Sequence, residues 1–423
     1  MIDNTLKIVI SIILISILFL SGCFTDQDEI NNNGEAEESG TEFDPCGNAV
    51  GNGNEIVFGQ VTPTEWNPDN PFRSLTIHPN DPNIILIGTE ANGFVKSIDG
   101  GQTWTRLRYG LRHGVASGEE LYPEVYDIAF SESNPDIIYA ATTGGPGPLA
   151  GPDGGDGGIY KSTDGGETWV RKNCGLDNEW IFSVHVNPDN PDVAVIGISG
   201  GETTGSYGGI QSGDYFDGGI FRTTDGGENW IRVNLSVNDN KNGYKYIKSQ
   251  LDDSSVLYTF GLNWEGSFPN IGFYKSTDGG ETWNAFASDL RDHRISYFDL
   301  SSNGDVIYAV DEMKIVKSTD SGNTWSEYEL YSSGYVLSVF PDDSERILFS
   351  KVDGVYLSED GLQTETKVID VKGRHPSDIA IATSNSNIAY AIDVGYDVYK
   401  SVDAGRTFTK IVNLREDVLE VIP

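Results

Sequence analysis

The chain has 423 residues, with 64 acidic against 28 basic side chains and a net charge of −36. So negative a surface repels phosphate backbones and anionic membrane faces, which excludes nucleic acid from the expected partners and leaves membrane contact only to a covalent anchor. At 38% hydrophobic residues the chain is long and apolar enough to bury a large core.

The apolar run Ile8 to Leu20 is only 13 residues long, short of the roughly 20 that a permanent bilayer span needs. It reads as a signal peptide over residues 1–22. The run ends in Leu20-Ser21-Gly22-Cys23, which resembles the bacterial lipobox; that resemblance implies lipidation of Cys23 and display on the envelope, outside the cytoplasm. Residues 23–54 are acidic, rich in Asn, Gly and Glu and poor in apolar side chains, so they are expected to form a disordered tether. With Cys23 committed to lipid, Cys46 and Cys174 remain, and an exported protein permits them to pair as a disulfide.

Residues 55–423 repeat one octet seven times. The best copies are Ser97-Ile98-Asp99-Gly100-Gly101-Gln102-Thr103-Trp104, Ser162 to Trp169 and Ser276 to Trp283. Thr223 to Trp230 and Ser318 to Trp325 are close, Ser358-Glu359-Asp360-Gly361 loses its Trp, and Ser401 to Phe408 replaces Trp by Phe. The carboxylate suits a turn that accepts backbone N–H groups, and Gly supplies the positive φ. These aspartates are therefore turn devices, and each Trp is expected to pack against the next unit.

Around each octet four short alternating strands recur, as in Val125 to Phe130, Ile137 to Ala141, Gly158 to Lys161 and Thr168 to Arg171. The Asp-to-Asp spacings of 65, 61, 53, 42, 40 and 43 residues suit propeller blades. The expectation is an all-β, seven-bladed propeller of four-stranded antiparallel blades in one monomeric domain. Glu55 to Gln60 and Val418 to Val421 are candidates to latch the ring.

Together these octets resemble the Asp-box, or bacterial neuraminidase repeat, β-propellers. The turns His78-Pro79-Asn80-Asp81-Pro82-Asn83 and Asn187-Pro188-Asp189-Asn190-Pro191-Asp192 are most similar to the xyloglucanase, sortilin and photosystem II assembly-factor branch. The resemblance implies a fold but no single activity, because the superfamily mixes hydrolases with binders.

Functional residues are expected on the face opposite the octets, where the long insertions fall. These insertions carry Asp153, Asp156, Glu202, Tyr207, Asp214, Tyr215, Phe216, Asp217, Trp264 and Phe268, a mixture of rings and carboxylates that suits a glycan or an extracellular protein. Asp153-Gly154-Gly155-Asp156 could hold Ca²⁺ but lacks the spacing of the twelve-residue calcium loop, so no metal or cofactor is expected. A second candidate is the mouth of the central channel, with Arg73, Glu124, Trp180, Tyr244, Arg294, Tyr335 and Arg374 beside His375 as entry residues; three converging arginines would favour an anionic group.

Two hydrolase resemblances bear on activity. Phe72-Arg73-Ser74-Leu75 is similar to the Phe-Arg-Ile-Pro opening of sialidases, from which Ser74 and Leu75 depart. Ile87-Gly88-Thr89-Glu90-Ala91-Asn92-Gly93 stands where xyloglucanases resemble Ala-Arg-Thr-Asp-x-Gly-Gly, placing Glu90 at the base position. The resemblance also implies a second ring to supply the partner acid, and none is present in the sequence, so a binder without turnover is expected and a glycoside hydrolase is the alternative. An assembly factor for a membrane complex is the third reading.

Overall fold

The computed structural model describes residues 72–414, apart from 91, 113, 117–118, 145–156, 177, 203–214, 217, 236–241, 264–271, 288–289, 291–292 and 372. Seven four-stranded antiparallel sheets follow one another along the chain. In blade 1 the strands are Phe72–Ile77, Ile85–Thr89, Phe94–Ser97 and Thr105–Leu107; in blade 7 they are Pro376–Ile381, Ala389–Asp393, Asp397–Ser401 and Thr409–Asn413. The chain is thus an all-β seven-bladed propeller, as its repeats predict. Two small ribbons, Gly114–Ala116 with Glu119–Leu121 and Gly201–Glu202 with Tyr215–Phe216, decorate the insertions.

All seven octets form the same knot. In blade 1 the Thr103 N–H donates to Asp99 Oδ1 at 2.9 Å, Thr103 Oγ1 donates to Asp99 Oδ2 at 2.6 Å, and Gly101 N–H donates to Ser97 Oγ at 2.8 Å. These donors stabilise the ionised carboxylate and draw the Asp99 pKa down to about 2 even though its slight burial pushes the other way. The drifted copy in blade 6 keeps the knot, with Thr364 N–H on Asp360 Oδ1 at 2.8 Å. There Leu362 adopts φ 76° in place of a glycine. The knots lie against the Asn-Pro-Asp turns, since Gly100 N–H donates to Asn83 O and Gly165 N–H to Asp136 O, each at 2.9 Å. Both sets of turns therefore share one face.

The octet Trp packs backward rather than forward. Trp169 of blade 2 is 2% exposed and stacks on Phe94 of blade 1 with ring centres 4.2 Å apart. Trp325 of blade 5 likewise stacks on Phe273 of blade 4 at 5.9 Å. The expectation of contact with the next unit is corrected: the outer strand that Trp begins lies over the preceding blade's third and fourth strands.

The ring closes with latches of the same kind that join other pairs of blades. Tyr139 Oη donates to Pro191 O of the following blade at 2.9 Å, and Tyr390 Oη of blade 7 donates to Pro82 O of blade 1 at 3.0 Å. Lys96 Nζ reaches Gly165 O at 2.6 Å, and Lys400 Nζ of blade 7 reaches Gly100 O of blade 1 at 3.3 Å. Trp104 packs in one cluster with Ile411 and Val412 of blade 7. Blades 1 and 7 each draw all four strands from contiguous sequence, so no described strand is exchanged. The two segments named as candidate latches lie outside the described residues, as do the leader, Cys23 and Cys46.

Candidate functional site

The first strand of each blade faces the axis, and together these strands enclose a cavity of about 1060 Å³. Most of them carry a one-residue bulge at the end remote from the knots, seen as register shifts between Phe72/Ser74, Val125/Asp127, Ile295/Tyr297 and Pro376/Asp378. A bulge breaks the strict alternation of faces and re-aims the extra side chain. Arg73, Tyr126, Ser296 and Ser377 occupy these positions and line the cavity.

At the mouth, blades 1 and 2 build a compact ionic cluster. Arg73 Nη2 lies 2.8 Å from Glu90 Oε2, and Arg73 Nε lies 2.5 Å from Glu124 Oε1. Burial lowers the Arg73 pKa, but the two carboxylates outweigh it, so the guanidinium stays charged. Burial, with help from Glu90, raises the Glu124 pKa against the pull of Arg73; the hydroxyl of Tyr126 bonds the same carboxylate. Tyr126 in turn meets Phe182 of blade 3 edge to face at 4.6 Å, and Lys245 Nζ of blade 4 sits 4.6 Å from the Phe182 ring centre. One side of the mouth is thus a rim of paired charge and aromatic edges supplied by four successive blades.

Deeper in the cavity the blades are stitched by carboxylates. Asp127 Oδ2 accepts the Val184 N–H at 3.0 Å, Asp299 Oδ2 the Val339 N–H at 3.0 Å, and Asp378 Oδ2 the Leu75 N–H at 2.8 Å, each across a blade junction. Lys248 approaches Asp299 Oδ1 at 3.9 Å and also feels Asp127 and Asp378. Strands surround this lysine, yet 33% of its side-chain surface faces the cavity, so water there softens the electrostatics of the cluster. Burial raises the Asp378 pKa to about 7 against the two N–H donors and Lys248. His185, on the blade 3 strand, is held neutral by burial, its pKa lowered to about 4.

Of the predicted mouth residues, Arg73 and Glu124 come together, and Tyr335 lines the cavity stacked on His375 at 4.5 Å. Tyr244 does not reach the mouth: it is fully buried between blades 3 and 4, edge-on to Tyr274 at 5.7 Å. Trp180 hydrogen-bonds through its backbone to Asn178 and Ser199 beside the rim. Nor do the three arginines converge on the axis, because each is bound within its own neighbourhood. Arg294 Nη1 pairs with Glu312 Oε1 at 2.6 Å, and Arg374 Nη1 donates to Gly395 O at 2.9 Å. Tyr215 belongs to the blade 3 ribbon, while Asp153, Asp156, Asp217 and Trp264 lie outside the described residues. Cys174 is disulfide-bonded, and the chain's other two cysteines lie outside the described residues. Sequence reasoning missed Tyr126, Lys245 and the stitching aspartates; their trace was the adjacent polar pair Tyr126-Asp127 interrupting an alternating strand.

The BNR/Asp-box repeat family matches residues 274–285, the knot of blade 4. The chain is a seven-bladed propeller that carries this repeat. Among curated proteins it is similar to the xyloglucanase Xgh74A of Acetivibrio thermocellus, at 27% identity over 258 residues, covering 57% of this chain and 28% of that protein. A xyloglucanase of Paenibacillus sp. is 26% identical over 197 residues, covering 44% of this chain and 16% of that protein. The propeller therefore spans less than a third of the curated relatives it matches. Among solved structures, an ancestral GH74 enzyme superposes with a TM-score of 0.61 at 16% identity, covering 84% of this chain and 48% of the other. YCF48 bound to D1 peptide gives a TM-score of 0.55 at 15% identity, covering 80% and 95%. These structural likenesses support the fold.

Proposed function

We propose that this propeller is an exported binding protein, lipid-anchored through Cys23, that holds a glycan against the mouth of its axial cavity without hydrolysing it. The observation that carries this reading is the double engagement of Arg73. Glu90 and Glu124 both pair with one guanidinium, so the carboxylates form a fixed hydrogen-bonding platform. An inverting hydrolase instead needs an acid and a base held roughly 6.5–9.5 Å apart around a water. The Tyr126–Phe182 pair adds ring edges beside the platform, and this mixture of rings and fixed polar groups suits sugar hydroxyls and sugar faces. Similarity to xyloglucanases supports a β-glucan backbone as the first ligand to try.

The same similarity favours a second reading, glycoside hydrolysis with Glu90 as base. The two are separated by incubating the protein with xyloglucan and related polymers, measuring retention by affinity electrophoresis and release of reducing ends. Retention without release, weakened at least tenfold by Tyr126→Ala, supports the binder. Release abolished by Glu90→Gln would replace it with the hydrolase. Failure to retain any glycan, with capture of an extracellular peptide instead, would move the protein toward the assembly-factor reading; the similarly folded YCF48 is seen with a D1 peptide bound.

A further inference from the structure

The waist of the axial cavity lies inward of the rim, where Asp127 follows Glu124 along the inner strand Glu124–Phe130. It presents hydrogen-bonding groups that the protein itself does not fill. Lys248, on the blade 4 inner strand Asn242–Ser249, lies 3.9 Å from Asp299 Oδ1, too far for a hydrogen bond, and meets Asp127 and Asp378 only through their charge. Tyr297 of blade 5 is 7% exposed, yet its hydroxyl bonds to no described residue and lies in the field of all three carboxylates. The hydroxyl of Tyr246, whose ring centre is 4.4 Å from that of Tyr297, is likewise unbonded among the described residues and feels Asp127 and Asp378. All six side chains line the cavity. A polar group enclosed on nearly every side and left unfilled costs free energy that a ligand recovers.

The chemistry of these groups selects the ligand. Three carboxylates face one ammonium, so the waist carries surplus negative charge and favours a cation. Each carboxylate keeps lone pairs beyond the backbone N–H groups it already accepts. Lys248 lies nearest Asp299, which leaves Asp127 and Asp378 as the less compensated pair. Lys248 and the two tyrosines also offer donors, which a metal ion or a plain alkylamine leaves unanswered. Among the described residues no three metal-ligating side chains converge in any case. A free amino acid would answer those donors with a carboxylate, which the surplus charge repels. An ammonium flanked by hydroxyl groups answers both sets.

We propose that the waist binds an amino sugar with a free amine, its ammonium held by Asp127 and Asp378 and its hydroxyl groups by Lys248, Tyr246 and Tyr297. The inference rests on the glycan reading, whose rim holds the sugars that follow, and it narrows the ligand to a cationic glycan. A chain of net charge −36 draws such a polymer in through its long-range field. A cavity of about 1060 Å³ has room for a pyranose ring.

The test is calorimetric binding of glucosamine, N-acetylglucosamine, glucose and putrescine to the intact protein near neutral pH, beside retention of chitosan and xyloglucan in affinity gels. Glucosamine should bind at least tenfold more tightly than N-acetylglucosamine or glucose, because acetylation removes the charge and keeps the hydroxyl groups. Asp378→Asn should pull that ratio toward one. Tyr297→Phe removes a hydroxyl with no partner in the described protein, so the fold should survive it while glucosamine and N-acetylglucosamine weaken alike. Putrescine bound as tightly as glucosamine would overturn the proposal, since the hydroxyl groups would then contribute nothing. Glucosamine bound no more tightly than N-acetylglucosamine, with xyloglucan still retained, would overturn it and leave the glycan reading standing; retention of neither polymer and binding of no sugar would sink both.

Discussion

Truncating Trp169 tests how much of the ring's stability lies in the backward-packed knot tryptophans. The side chain is 2% exposed and stacked on Phe94 at 4.2 Å and 12°. An indole buries on the order of 200 Å², which at about 25 cal/mol per Å² is worth about 5 kcal/mol as an upper bound. Because neighbours relax partly into the space, Trp169→Ala should cost about 3–4 kcal/mol. Trp325 makes the same kind of stack at 5.9 Å and 24° and is only partly buried, so Trp325→Ala should cost about half as much. Urea unfolding followed by far-ultraviolet circular dichroism reads both values. A loss under about 1 kcal/mol for Trp169→Ala, or a larger loss for Trp325→Ala, would refute the packing argument.

Stability should depend on pH with a broad maximum between about 4 and 6.5, where the opposite slopes from His185 and Asp378 cancel, measured as Tm by circular dichroism. His185, depressed to about 4, and Asp99, depressed to about 2, contribute stability above their unfolded pKa values that is lost as pH falls toward their folded ones. Asp378, raised to about 7, contributes fully below its unfolded pKa and loses that contribution as pH climbs through 7. Asp378→Asn should therefore remove the loss that Asp378 adds between about pH 4 and 7 and move the maximum above pH 6.5 while leaving the limb below pH 4, and an unchanged profile between pH 4 and 7 would contradict the assignment. Gly110→Ala, where a new methyl would strike the Trp169 carbonyl at φ +83°, should cost more than about 2 kcal/mol. Gly279→Ala, also at positive φ but with nothing within 4 Å, should cost about 1 kcal/mol. Finally, Cys174 should resist alkylation in the native protein and Cys46 with it, both reacting only after reduction; two reactive thiols without reductant would remove the proposed pair.

The blade count and strand order were legible because the knot repeats as sequence: an Asp, one or two positive-φ residues and a Thr fix each turn locally. The direction of Trp packing was not legible, since a spacing along the chain does not say on which side the neighbouring blade lies. The mouth was half legible. Arg73 and Glu124 start inner strands and were readable as such, whereas the bulges that turn Tyr126 and Lys245 inward depend on pairing with a second strand. Tyr244 looked like an entry residue only while strict alternation was assumed. Ring closure, too, emerges from three dimensions, in Tyr390 and Lys400 of blade 7 finding the same carbonyl partners in blade 1 that Tyr139 and Lys96 find one blade on.

Hydrogen–deuterium exchange of the full chain with and without a retained glycan tests the location of binding most directly. Protection should gather at Arg73 to Glu90, Glu124 to Tyr126 and the strand bearing Lys245, and leave the seven knots unchanged. Protection centred on the knots, with none at the cavity mouth, would contradict the account.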